Sequence, residues 1–259
     1  MLNFTIHNFS KNAKYYDNAA IIQNSIIDKM LPLLKNQNFD YILEFGCGTG
    51  NYTKKIIETC AFKKILAIDI SNEMLTIAKS KIFDNRIFFL QCDASEIDRQ
   101  NIFNIEKFDL ITSNAALQWI NDKHNLLKKI KILLKNNGKF IFSIFGNNTF
   151  AELNRVIKKF FSDENINIAS HYFLDKSALS QILQENFSNV LISDFFINYH
   201  YENLMDLLKS IKYTGTGGEP LIKNKMFTKK KIDELEKLYF ENFGKITATY
   251  QFFICVCEK

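Results

Sequence analysis

Between residues 41 and 146 the sequence alternates short apolar runs with amphipathic stretches, and this rhythm restricts the possible folds more than any other feature. "YILEF" (41–45), "KILAID" (64–69), "RIFFLQCD" (86–93), "KFDLITSN" (107–114) and "GKFIFSIFG" (138–146) read as strands. Between them, "YTKKIIETCA", "SNEMLTIAKSKI" and "NLLKKIKILL" repeat apolar residues at helical spacing. Ser71 is placed to cap the second of these helices, turning Met74, Leu75 and Ala78 inward. Short apolar strands separated by amphipathic helices predict a mostly parallel sheet covered on both faces.

Beyond residue 147 the rhythm changes. Two helical stretches, "AELNRVIKKFFS" and "SALSQILQENF", precede a long strand, "NVLISDFFINYHY". The closing "KITATYQFFICVCEK" is an alternating strand expected at the edge of the sheet. Residues 201–244, helical at both ends around "TGTGGEP", interrupt what would otherwise be a hairpin of these two strands. Together with the helical residues 1–30 they are expected to cap the strand ends, within a single domain spanning 1–259.

Several classes of function fall away on composition. A net charge of +5, much of it in "LIKNKMFTKKK", is too small and too local for a nucleic-acid binder. The five cysteines form no C-x-x-C pair and the four histidines are scattered, so no metal-site spacing is present. Cys255 and Cys257 would share one face of a strand, a core arrangement. The N-terminus lacks an apolar targeting segment, and no run approaches a membrane span. A cytoplasmic monomer is expected.

The first strand runs into Gly46, Gly48 and Gly50, a pattern that usually cradles phosphate. The loop lacks the G-K-[ST] ending of a triphosphate site, and Asn51 stands where a dinucleotide site needs its third glycine. Glu44, two residues before the first glycine, would repel a pyrophosphate. A ligand with a positive end explains it. S-adenosyl-L-methionine has an α-ammonium for Glu44 and a carboxylate for the helix N-terminus. Asp69 ends the second strand about twenty residues on, where an acid can grip ribose hydroxyls. Asp93 ends the third, placed to accept from an adenine amine. One acid at a strand end is ordinary; three beside such a loop are not.

These residues resemble the class I S-adenosylmethionine-dependent methyltransferases over roughly residues 38–146. "LEFGCGTG" looks like the first motif of that family, "IDISNEML" the second, and "CDA" and "FDLITSNAALQW" the later ones. The resemblance implies an α/β Rossmann-like fold with a seven-stranded, mostly parallel sheet and an antiparallel final strand. It also implies cofactor contacts from Gln23, Glu44, the three glycines, Asp69, Ile70, Met74, Asp93, Ala94 and Asn114. Outside the core, "FSKNAKYYDNAAIIQ", "SNAALQWI", "LLKSIKYTGTGG" and "TYQFFICV" resemble the malonyl-[acyl-carrier protein] O-methyltransferases, the BioC family of biotin synthesis. Typical members read closer to "LKGIGAT" where this chain has "IKYTGTG".

That resemblance implies a malonyl thioester of acyl carrier protein, or of coenzyme A, as the methyl acceptor. Tyr16, Asn114, Gln118 and Lys212 are the candidate catalytic residues, with Trp119 beside them and Arg155 a second candidate cation. Tyr16 and Gln23, seven residues apart, would share one face of a helix. Lys223, Lys225, Lys229, Lys230 and Lys231 could steer an acidic carrier protein. Two alternatives stand beside this one: a small-carboxylate methyltransferase of the trans-aconitate type, and a methyltransferase-like assembly factor.

Overall fold

A computed structural model describes residues 2–99, 107–216 and 228–259. Two helices open the chain, α1 (Leu2–Ala19) and α2 (Ile21–Met30). Then β1 (Asn38–Phe45), α3 (Asn51–Thr59), β2 (Ala61–Asp69), α4 (Asn72–Lys81), β3 (Ile87–Gln91), β4 (Phe108–Ser113), α5 (Lys123–Leu133) and β5 (Leu134–Phe145) alternate as expected. There follow α6 (Ala151–Phe161), α7 (Lys176–Gln184), β6 (Asn189–Tyr201), α8 (Leu204–Thr214), α9 (Lys229–Phe243) and β7 (Ile246–Glu258).

The strands form one sheet in the order β3-β2-β1-β4-β5-β7-β6. Pairs from β3 to β5 are parallel, while β7 runs antiparallel to both β5 and β6. One face carries an apolar core with α2, α3, α6, α8 and α9, including Ile26, Ile56, Val156, Leu207 and Tyr239. The other packs against α5 and α7 through Leu126, Leu127, Leu179 and Leu183. Ser71 caps α4 by accepting from the Met74 N–H at 3.2 Å, and Met74, Leu75 and Ala78 are buried. Among the described residues no helix is long and apolar enough to cross a membrane.

Two expectations need correction. The closing strand is not at the edge: β7 lies between β5 and β6, and β6 holds the edge. Its polar alternation stops at Gln251; the run from Phe252 through Ile254 with Cys255 and Cys257 is buried, as a strand covered on both faces requires. By contrast β6 exposes Leu191 and Phe196. Secondly, Tyr16 and Gln23 do not share a helix. The chain breaks at the buried Ala20 (φ −81°, ψ 33°), with α1 on one side and α2 on the other. No glycine or proline announces that break in the sequence.

Candidate active site

The C-terminal ends of β1 to β4 converge on one cavity, the usual ligand edge of an open parallel sheet. Its floor is Gly46 and Gly48 after β1, Asp69 and Ile70 after β2, and Asp93 and Ala94 after β3. Met74 from α4 and Asn114 after β4 flank it, and Phe9 and Tyr16 from α1 close it from above with Trp119.

The loop glycines serve different needs. Gly46 has φ +66°, and a Cβ there would lie 2.4 Å from the Ala116 Cβ, so the protein itself excludes a side chain. Gly48 has φ +55°, yet a Cβ would meet nothing within 4 Å. Gly48 also lines the cavity, so open space and the ligand edge meet at this residue. Gly50 faces away, packing on Ala78 of α4.

Carboxylates fasten the floor. The Gly48 N–H donates to one oxygen of Asp69 at 2.8 Å, and the Ser71 N–H to the other at 2.9 Å. Each oxygen keeps a second lone pair, so both can still accept from a ligand hydroxyl. Burial raises the Asp69 carboxyl above its ordinary range, while the N–H groups of Ser71, Gly48 and Ile70 hold it down. Asp93 accepts from the Ser95 N–H at 2.8 Å. Beneath the loop, Glu44 is 1% exposed and one of its oxygens has no hydrogen-bond partner. Burial pushes its carboxyl up to about 8; the neighbouring Thr53 hydroxyl opposes the shift, without hydrogen-bond geometry, and the charge of Asp69 adds to it.

The roof is held by side chains. Asp17 on α1 accepts from the buried Thr49 hydroxyl of the glycine loop at 2.5 Å and pairs with Lys81 on α4. Ser10 and Ser71 hydroxyls meet at 3.0 Å. Burial, then the charges of Asp69 and Asp17, raise the Tyr16 phenol far above its ordinary value, so its hydroxyl stays a neutral donor. Trp119 packs edge-on between Phe9 (6.2 Å) and Phe173 (5.8 Å).

The turn after β4 is tightly organised. Ser143 on β5 donates to the Asn114 side-chain oxygen at 2.7 Å and accepts from the Ala115 N–H at 2.9 Å. Ala115 adopts φ +51°, a conformation that costs a non-glycine residue about 1–3 kcal/mol and is kept where its surroundings enforce it. Gln118 donates to the Ala115 carbonyl at 2.6 Å. The Asn114 amide donates to the Gln23 carbonyl at 3.2 Å, tying the sheet to α2.

Of the residues singled out from sequence, Tyr16, Gly46, Gly48, Asp69, Ile70, Met74, Asp93, Ala94 and Asn114 line the cavity, and so does Trp119. Gln23, Glu44, Gly50, Gln118 and Lys212 do not. Gln23 instead donates to Thr216 at 3.1 Å, beyond the end of α8. Gln118 is buried with its carbonyl oxygen unpartnered, and Lys212 is on the exposed side of α8. Arg155 is on α6, outside the cavity. Lys223 and Lys225 lie outside the described residues. Sequence reasoning missed Phe9, Cys92 and Ile120 as lining and Asp17 and Ser143 as supports. Ser143 left one signal, a lone polar residue in the apolar strand "FIFSIFG".

The fold and cavity define a class I methyltransferase. Residues 43–142 match a methyltransferase-domain family. A Bacillus halodurans methyltransferase structure superposes with TM-score 0.62 at 16% identity, covering 91% of this chain and 99% of that one. The Haemonchus contortus phosphoethanolamine N-methyltransferase 2 in complex with S-adenosyl-L-methionine gives 0.56 at 19%, covering 95% and 57%. These likenesses establish the fold. Malonyl-[acyl-carrier protein] O-methyltransferase 1 of Ilyobacter polytropus is 36% identical over 97% of this chain and 92% of its own length. The Acetivibrio thermocellus relative of the same name is 30% identical over 97% and 92%. The chain belongs to the malonyl-[acyl-carrier protein] O-methyltransferase family.

Its methyl donor is S-adenosyl-L-methionine, and the residues present suit that group. The open space at Gly48 leaves room for a ligand close to the backbone. The unpartnered oxygen of Glu44 is an acceptor that a cationic group could compensate. Asp69 and Asp93 offer acceptors beside the apolar Ile70 and Met74.

Proposed function

We propose that the protein methylates the free carboxylate of a malonyl thioester on acyl carrier protein, giving the methyl ester used early in biotin synthesis. Similarity over 97% of this chain to relatives of that name, covering 92% of their length, carries this proposal. The bound donor would supply a methyl group activated on a sulfonium. The protein need not supply a general base, because a malonyl carboxylate is already ionised near neutrality, like side-chain carboxyls of pKa about 4. What it must do is align acceptor oxygen and methyl carbon and keep water out.

Phe9, Trp119 and Ile120 give an apolar wall for that purpose, with the neutral Tyr16 hydroxyl as a donor that does not ion-pair the nucleophile. Asn114, held by Ser143, positions the turn between them. In this reading α1 and α2 with α8 and α9, the described helices of residues 1–30 and 201–244, act as the cap, opening for the acyl arm and closing over the cavity. Contacts of α1 with the glycine loop, through Asp17, and with the N-cap of α4, through Ser10, support this role. The deciding experiment is a methyl-transfer assay with malonyl-carrier protein, malonyl-coenzyme A, acetyl-carrier protein and free trans-aconitate. Both malonyl thioesters should be methylated and the acetyl one left unmodified. A full rate on aconitate with none on either malonyl thioester would reject the proposal.

A further inference from the structure

A polar groove lies beside the active-site cavity and belongs to no part of the machinery described above. It is walled by Arg155, Lys158 and Lys159 of α6, by His171, and by asparagines that include Asn148 and Asn242. Spacing of three and four residues puts the three cations on one helix face. Among the described lining residues the only carboxylate is Glu164, which is largely exposed and 3.8 Å from Lys158. Arg155 lies over the Phe243 ring at 6.0 Å, and Lys159 donates to Asn242 at 3.2 Å, so two of the three cations have a defined place.

The turn Ala169–Tyr172 joins this groove to the cavity. On one side of it His171 lines the groove; on the other Phe173 packs against Trp119, which lines the cavity. Between them Tyr172 is 73% exposed, stacked edge-on to His171 at 5.4 Å. Exposed tyrosine and arginine are the residue types enriched at protein interfaces. Cations facing solvent next to a site speed and orient the approach of an acidic partner.

We infer that this face, α6 with the turn carrying Tyr172, is the docking surface for the acidic protein that delivers the acyl thioester. The inference rests on the proposed substrate class and places its carrier away from the lysines that open α9. Those lysines, Lys229 to Lys231, are eleven to thirteen residues along α9 from Asn242 in the groove, about 17–20 Å at 1.5 Å per residue. The two patches can therefore be tested separately.

The variants are Arg155→Glu with Lys159→Glu, Tyr172→Ala, and Lys229, Lys230 and Lys231→Ala. Two readouts are taken: binding of fluorescent holo-carrier protein, and KM for malonyl-carrier protein against a short malonyl-N-acetylcysteamine thioester. Charge reversal on α6 should weaken carrier-protein binding at least tenfold and raise its KM in parallel. The short thioester should be turned over as by wild type. Tyr172→Ala should weaken binding several-fold, and raising salt should shrink the difference between wild type and the α6 variant. Equal loss on both substrates, or selective loss only in the α9 variant, would overturn the assignment. Absence of carrier-protein binding by wild type would overturn it as well. Because binding is read without methyl transfer, failure of the docking surface and failure of the proposed reaction give different results.

Discussion

The floor and the roof of the cavity are built in opposite ways. The floor is backbone: loops at the ends of β1, β2 and β3 held by N–H groups that donate to Asp69 and Asp93. The roof is side chain: α1 rests on the glycine loop through Asp17 and Thr49 and on α4 through Ser10 and Lys81. Backbone-held loops are fixed once the sheet forms. The polar contacts that tie α1 to the floor contribute about 1 kcal/mol or less each. Much of the rest of its packing, the Tyr15–Tyr213 stack at 5.0 Å included, is with α8 rather than with the sheet. Rigid recognition below and a releasable cover above are what a site that must admit and then enclose a ligand requires.

The sharpest way to break this contrast is at the two loop glycines. Gly46→Val forces a Cβ into Ala116 and should cost the fold roughly 3–5 kcal/mol by overpacking together with backbone strain. Gly48→Val meets no protein atom, so its stability loss should be limited to the strain of a left-handed residue, about 1–3 kcal/mol. Its binding of S-adenosylhomocysteine should fall by a far larger factor, on the order of a hundredfold. Chemical denaturation and calorimetric titration separate the two. Similar stability losses, with ligand binding intact in the Gly48 variant, would mean that the open space at Gly48 is not the ligand's.

Glu44 tests the floor by pH. Its folded-state carboxyl lies near 8 against an unfolded value of 4.5, so between those limits the folded chain keeps a proton that the unfolded chain has lost. The unfolded state binds fewer protons there, and ligand-free stability should decline as pH rises across that window. Glu44→Gln should flatten the decline and be the more stable form at pH 8. If Glu44 meets the ammonium of the cofactor, wild-type affinity for S-adenosylhomocysteine should rise toward pH 8 and the variant's should not. Denaturation curves at pH 5.5 and 8 with parallel slopes for both proteins would remove Glu44 from the account.

The smallest expected effect is in the roof. Asp17→Asn removes one charge from the contacts that hold α1 and should cost about 1 kcal/mol or less. Hydrogen exchange should quicken several-fold along α1 and stay unchanged in β1. A loss of protection spread evenly over sheet and helix would erase the distinction between the two regions.

The floor was legible in the sequence because its signals are local. Strand, glycine loop and terminal acid follow one another within each βα unit, and Asp69, Asp93 and the Ser71 cap could be placed from neighbours a few residues away. What escaped was set by distant partners. Asp17 meets Thr49 and Lys81, Gln23 meets Thr216, and Ser143 holds Asn114, each across a separation no periodicity encodes. The break at Ala20 has the same origin: α1 turns to lie on strand ends while α2 packs in the core, and no local residue enforces it. For β7 the signal was present but misweighed. The alternation of Thr247, Thr249 and Gln251 suggested an edge, whereas the unbroken apolar run after it required an interior strand.

The position of β7 also governs the order of assembly. The parallel strands β1 to β5 can pair through short right-handed crossovers as the chain collapses. β5 then keeps one edge open until a strand about a hundred residues downstream arrives, and β6 has no partner at all before the same event. Closing so long a loop is the slow kind of contact, with its entropy lost before any pairing compensates. During that interval the open edge of β5 and both edges of β6, the strand bearing Leu191 and Phe196, are open to other chains. Conditions that favour aggregation should therefore act on the unfinished sheet, and substitutions that weaken β7 should lower the yield of folded protein more than its final stability.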